Sequence, residues 1–172
     1  KALYVGLSNY NGEQMEQAAS ILHDLKCPFI INQNRYSIFD RTIEKNGLKD
    51  AALKAGKGII TFSPLAQGLL TDRYLNGIPQ DSRIRTDGRF LKEQLLTEEK
   101  LAQIKALNEI AAARRESLAA LAIQWLLKDD VVTSVLIGAS KPTQIIENIK
   151  ALEGTPLTAD ELRKIDECSG IS

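Results

Sequence analysis

Four short apolar runs punctuate the chain, and each leads into a stretch of helical periodicity. The first, from Ala2 to Leu7, ends at Ser8-Asn9. A continuous apolar run of this kind, bounded by polar turn residues, reads as a buried parallel strand. Asn11 follows as a helix N-cap with Gln14 in the capping-box position, and the periodicity carries to about Leu25 with Met15, Ala18, Ala19 and Leu22 on one face. Pro28 separates this helix from a second strand, Phe29 to Gln33, and a connecting segment of helical tendency runs from Ser37 to Asn46. Leu48 to Ala55 is a short helix stopped by Gly56. The third strand, Gly58 to Phe62, breaks at Ser63-Pro64, because proline has no N–H for a central ladder and keeps the preceding residue out of the helical region.

The pattern then loosens. Ser63 to Leu96 reads as a long loop carrying Arg73, Arg83, Arg85 and Arg89, and loops of that length are usually functional. Thr97 caps the next helix, stapled by Leu96 and Leu101, with Leu101, Ile104, Asn108 and Ala111 on the inner face. Ser117 to Leu127 shows a stripe of Leu118, Leu121, Ala122 and Trp125, which reads as core. The last strand is expected over Ser134 to Ile137 and ends in Gly138-Ala139-Ser140. Pro142 then opens a helix whose Ile145, Ile146 and Ile149 are expected to pack inward. Thr158 to Glu161 is a capping box for a terminal helix, stapled by Leu157 and Leu162.

Strands alternating with helices predict a parallel α/β array rather than a bundle or a sandwich. No linker divides the chain, so residues 1–172 are expected to belong to one domain. Four strands cannot close an eight-stranded barrel, and two apolar edges would be left unpaired. Composition adds little to this picture. The chain is 44% hydrophobic, and 22 basic residues balance 22 acidic ones, which gives no footprint for nucleic acid or an anionic membrane surface. No apolar run is long enough to span a bilayer, no signal-peptide pattern is present, and Cys27 and Cys168 lack metal or redox spacing. A cytoplasmic setting is the simplest expectation.

Ligands of parallel βα folds bind at the carboxyl ends of the strands, and the noteworthy polar residues fall there. Asn9 and Gln33 carry amides that both donate and accept, a match for a carboxamide. Phe62 offers a flat apolar face, although barrel core is the commoner use of such a residue. Ser63, Leu65 and Gln67 could turn donors toward a pyrophosphate. Ser140 and Lys141 precede a helix N-terminus, which suits a phosphate monoester, and Gln144, Glu147 and Asn148 follow within reach of an adenosine. The loop arginines read equally as a solvated face or as a lid from Arg73 to Arg89. His23, the only histidine, lies on an outer helix and reads as a surface or packing residue. Tyr4, Tyr10, Tyr36 and Tyr74 read as core or rim packing.

Gly6-Leu7-Ser8-Asn9-Tyr10, Ile31-Asn32-Gln33-Asn34, Thr61 to Thr71 and Val135 to Ser140, with Gln144 to Asn148, resemble in order the back half of the aldo-keto reductase (β/α)8 barrel. The branch resembled is that of bacterial L-glyceraldehyde-3-phosphate reductases and voltage-gated potassium channel β subunits. The resemblance implies a TIM barrel of which the chain carries strands five to eight. It also implies an NADP(H) site made of Ser8, Asn9, Gln33, Phe62, Ser63, Pro64, Leu65, Ala66, Gln67, Gly138, Ser140, Gln144, Glu147 and Asn148, with Arg73 and Arg83 over the pyrophosphate. The implied activity is reduction of small aldehydes or ketones, such as glyceraldehyde 3-phosphate or methylglyoxal. The family's catalytic Asp, Tyr, Lys and His fall outside the chain, so no catalytic residue and no metal is assigned and the piece alone is expected to be inactive. The expected partner is a small carbonyl substrate; a homo-oligomer is left open. The alternative is an NADP(H)-binding regulatory subunit of the channel β kind. Two departures bear on this: Phe62 stands where the family more often has tyrosine or tryptophan, and Asn9 stands where channel subunits have arginine.

Overall fold

The computed structural model describes residues 2–75, 77 and 96–170. They fall into two compact units, one of Lys1–Pro64 with Leu126–Gly138 and the other of Leu65–Trp125 with Ala139–Ser172.

The first unit is a parallel four-stranded sheet in the order β1-β2-β3-β4. The strands are β1 (Val5–Ser8), β2 (Phe29–Arg35), β3 (Gly58–Phe62) and β4 (Val132–Val135). Sequential strands are spatial neighbours throughout, as right-handed βα connections favour. Three strands differ from expectation. β1 covers Val5–Ser8 rather than Ala2 to Leu7, because Leu3 and Tyr4 are exposed ahead of it, and it has no buried residue. β2 runs on to Arg35, because Asn34 and Arg35 continue the ladder opposite Thr61 and Phe62. β4 starts and ends two residues early, at Val132 and Val135, although Leu136 N–H still donates to Thr61 O at 2.8 Å. Helix α1 (Gly12–Asp24) has the predicted capping box between Asn11 and Gln14. Helices α2 (Thr42–Lys45) and α3 (Leu48–Lys54) follow β2.

Helices α1 and α3 pack on each other and against β2 and β3. The approach is close at one point: Gly12 N–H donates to Asn46 O at 3.1 Å, and a Cβ at Gly12 would fall 2.5 Å from Gly47 O. Only glycine fits there, and Gly47 itself has φ +75. Within the sheet, register sorts the residues into two faces. Asn32, Asn34, Ile59, Thr61 and Val132 are buried on one of them. Gly6, Ser8, Ile31, Gln33, Arg35, Gly58, Ile60, Phe62 and Ser134 share the other, and none of these is buried.

The second unit contains helices α4 (Glu98–Ala113), α5 (Leu118–Leu126, whose last residue belongs to the first unit), α6 (Pro142–Lys150) and α7 (Ala159–Ser169). Thr97 caps α4 by accepting from Lys100 N–H at 3.1 Å, and the Thr158–Glu161 capping box opens α7. Helices α4 and α7 pack together, with Ile104, Leu107 and Ala111 buried on α4 and Ile165 on α7. The stripe of α5 is core as expected: Leu118, Leu121, Ala122 and Trp125 are buried. Arg114 ties the unit together. Its guanidinium donates to Glu161 at 2.8 Å, Gln124 at 3.0 Å and the Thr155 carbonyl at 2.5 Å, and pairs with Glu116 at 3.3 Å.

One packing expectation is overturned. Ile145, Ile146 and Ile149 of α6 do not face inward: they are 44%, 56% and 52% exposed, while Asn148 and Ala151 are buried in their place. The stripe is apolar by periodicity, but among the described residues nothing covers it.

Candidate functional site

At the carboxyl end of the sheet, register fixes what can act together. Ser8 of β1 is paired with Gln33 of β2, and Gln33 with Ile60 of β3, so Ser8 and Gln33 occupy adjacent positions on the open face. Two residues further along the same face, Arg35 is paired with Phe62. The polar end predicted from the strand ends is thus brought together within the first unit, with Phe62 next to it. Asn9 N–H donates to Gln33 O at 2.9 Å, which locks the loop after β1 to β2.

The backbone just beyond these strands is unusual. Asn9 has φ 58 and Ser63 φ 56, both in the left-handed region. In the second unit Ala66 (φ 46) and Gln67 (φ 61) are also left-handed. Asparagine tolerates this conformation through its short polar side chain, whereas alanine and glutamine have no such excuse. Non-glycine residues held there store about 1–3 kcal/mol each and concentrate at binding sites. The segment folds on its carbonyls: Gly68 and Leu70 N–H donate to Leu65 O at 2.8 and 3.1 Å, and Leu69 N–H to Ala66 O at 3.2 Å. The amides of Leu65 and Ala66 have no acceptor among the described residues, so donors remain for an anion. Pro64 is buried, and Arg73 is exposed. Arg83, Arg85 and Arg89, and with them most of the expected lid, lie outside the described residues.

In the second unit, Ser140 and Lys141 do precede the N-terminus of α6, but their amides are engaged. Gln144 Oε1 accepts from Ser140 N–H at 2.8 Å and from Lys141 N–H at 3.1 Å. A phosphate taking these donors would have to displace the Gln144 side chain. Gly138, Ser140 and Glu147 are exposed, whereas Asn148 is buried and not presented to solvent. His23 is exposed on α1. Tyr36 and Tyr74 are buried, and Tyr4 and Tyr10 are on the surface. No group of histidine, cysteine, aspartate and glutamate among the described residues could hold a metal ion.

Three features escaped sequence reasoning. The first is Arg35, whose guanidinium is 5.9 Å from the centroid of the Phe62 ring. Extending the second strand by two residues would have found it. The second is a buried polar pair, Asn32 and Thr61, on the covered face. Asn32 Nδ2 donates to Asn34, and Asn34 Nδ2 to Tyr10 O at 3.2 Å, but Asn32 Oδ1 and Thr61 Oγ1 have no partner among the described residues. The third is a charged cluster around Tyr36 in the first unit. Lys128 Nζ donates to Tyr36 OH at 2.7 Å, and Tyr36 OH donates to Glu44. Arg41 pairs with Glu44 at 2.7 Å and Lys49 with Asp129 at 2.5 Å. Burial, aided by the Lys49 charge, brings Lys128 down to about 8, and burial with the Glu44 bond pushes the Tyr36 phenol well above its ordinary value. Against the opposing effect of burial, bonds from Tyr36 and Arg41 hold Glu44 below the usual carboxylate range, and the Lys49 bond does the same for Asp129. No sequence motif announces this cluster, because its members are spread from residue 36 to residue 129.

The aldo/keto reductase family model matches residues 1–170 of this chain. The L-glyceraldehyde 3-phosphate reductase of Escherichia coli K12 is 48% identical over 170 residues, which are 97% of this chain and 49% of that protein. The protein of the same name from Escherichia coli O157:H7 is 46% identical over the same shares. A Schizosaccharomyces pombe protein named as a voltage-gated potassium channel subunit β is 36% identical over 173 residues, 97% of this chain and 50% of its own length. The chain therefore spans about half the length of the curated relatives it matches. Its parallel sheet fits part of a (β/α)8 barrel, no described helix is long and apolar enough to cross a membrane, and the chain belongs to the aldo/keto reductase family.

Proposed function

We propose that these residues form strands five to eight of the barrel and carry the cofactor-binding part of an NADP(H)-dependent reductase of small aldehydes or ketones. Glyceraldehyde 3-phosphate and methylglyoxal are the substrates to try first. The observation that carries this reading is the register that sets Ser8 beside Gln33 and Phe62 near them on the one sheet face left open. Amides and a hydroxyl suit the nicotinamide carboxamide, the Phe62 ring suits its flat face, and the uncommitted amides of Leu65 and Ala66 suit the pyrophosphate. The cofactor would supply the hydride. Ser8, Asn9 and Gln33 would orient the ring, and Ser63 to Gln67, with Arg73, would hold the anionic bridge. The proton would come from a tyrosine outside these residues.

The test is NADPH titration and aldehyde turnover by protein made from the complete reading frame that contains this chain. NADPH binding that weakens about tenfold in Gln33→Ala, with aldehyde reduction in the wild type, is the expected result. Unchanged binding in that variant would remove Gln33 from the site, and absence of both binding and turnover would sink the reading. The competing reading, a nucleotide-sensing regulatory subunit, draws on the channel β relative. The higher identity to the reductases, 46–48% against 36%, favours the enzyme.

A further inference from the structure

Arg35 closes the open face of the sheet on its carboxyl side, and it is the one charged residue among the registered positions of that face. It is exposed, and among the described residues it makes no ion pair and no hydrogen bond; its sole contact of this kind is the Phe62 ring. At 5.9 Å from the centroid, that contact is at the outer end of the cation–π range and is a weak tether. A guanidinium is a planar fork that matches phosphate oxygens two at a time, and among the described residues no carboxylate pairs with this one. Resting on the reductase reading above, we propose that Arg35 is the specificity residue of the site, binding a phosphate monoester carried by the carbonyl substrate beside the ring seated against Phe62. The relatives named for glyceraldehyde 3-phosphate act on a substrate of that charge, but nothing about them identifies the group that reads it.

Two variants test this in protein from the complete reading frame. Arg35→Met keeps the apolar stem and removes the charge, and Arg35→Lys keeps the charge and removes the fork. The expected result for Arg35→Met is a KM for glyceraldehyde 3-phosphate raised at least about tenfold, with kcat, the KM for uncharged methylglyoxal and the Kd of NADPH all within about twofold of wild type. Arg35→Lys should fall between the two. Equal losses on both aldehydes, or a weakened NADPH Kd, would overturn the assignment and make Arg35 a cofactor or packing residue. A wild type with no aldehyde turnover would defeat the reductase reading instead. In that case titration with glycerol 3-phosphate still decides: weaker binding to Arg35→Met than to wild type keeps the anion site, and identical or absent binding removes it.

Discussion

The two faces of the sheet are built from the same strands, one residue out of phase, and they have opposite chemistry. Asn32, Ile59 and Thr61 are sealed, while Gln33, Ile60 and Phe62, their immediate neighbours in sequence, stay accessible. The covered face is where stability is decided, since buried apolar atoms contribute by area and by packing. The open face carries Ser8, Gln33 and Phe62, the groups that the proposed site would use. Yet the covered side is not purely apolar. It carries unpartnered oxygens on Asn32 and Thr61, and the first unit also holds the Tyr36 charge cluster. Polar burial therefore appears on the side that gains nothing from it as a site.

The largest expected effect separates the faces. Ile59→Ala should lose about 2–5 kcal/mol of stability in urea unfolding, because Ile59 is fully buried and its truncation removes packed apolar atoms and leaves a cavity. NADPH affinity of the folded fraction should be unchanged; a parallel loss of binding would mean that the faces are not independent. Next in size is the alkaline response of the Tyr36 cluster. Folded Lys128 is half deprotonated near about pH 8, whereas a lysine of the unfolded chain reaches that point only at about 10.4. Across that window the unfolded state binds more protons, so stability should rise with pH, by about 3 kcal/mol in all. Tyr36 acts oppositely: its folded phenol keeps its proton after the unfolded one ionises near about pH 10, so stability should fall above that point. Urea midpoints across this range should therefore show a maximum near about pH 10, and Lys128→Met should flatten the rising limb. A monotonic decline in the wild type would show Lys128 to be fully charged in the folded state.

Smaller still, Phe62→Ala should weaken NADPH about threefold to tenfold by fluorescence titration, the scale of one lost stacking contact, while stability changes little. A loss of stability comparable to that of Ile59→Ala would return Phe62 to the core. The smallest effect concerns Thr61. Thr61→Val replaces an unpartnered buried hydroxyl with a methyl of the same shape, and should be neutral or stabilising by up to about 1 kcal/mol in thermal melts. Clear destabilisation would reveal a partner for Thr61 Oγ1.

The elements were legible in the sequence because their signals are local. Asn11 with Gln14, Thr97, and Thr158 with Glu161 each mark a helix start that the structure reproduces to the residue. The strands were found as apolar runs, but their ends drifted by two residues at Arg35 and Val135, where a ladder continues or stops according to its neighbour rather than its own composition. Of the site, Ser8, Gln33 and Phe62 could be proposed because strand ends are where ligands bind, and their common face follows from two-residue periodicity. Arg35 was lost with the misplaced strand end. The Tyr36 cluster depends on contacts up to 92 residues apart, which no window of sequence contains. The direction of Ile145, Ile146 and Ile149 was misread because periodicity identifies an apolar stripe without saying that anything covers it.

The Gln144 side chain gives the head of α6 a built-in competitor. Because its carbonyl oxygen already satisfies the Ser140 and Lys141 amides, an arriving anion exchanges with it rather than filling a vacancy. At the phosphate site proposed here, such an exchange would be helped by a ligand that is anchored elsewhere and presents its phosphate at high effective concentration. Gln144 would then favour a phosphate by virtue of what else is attached to it.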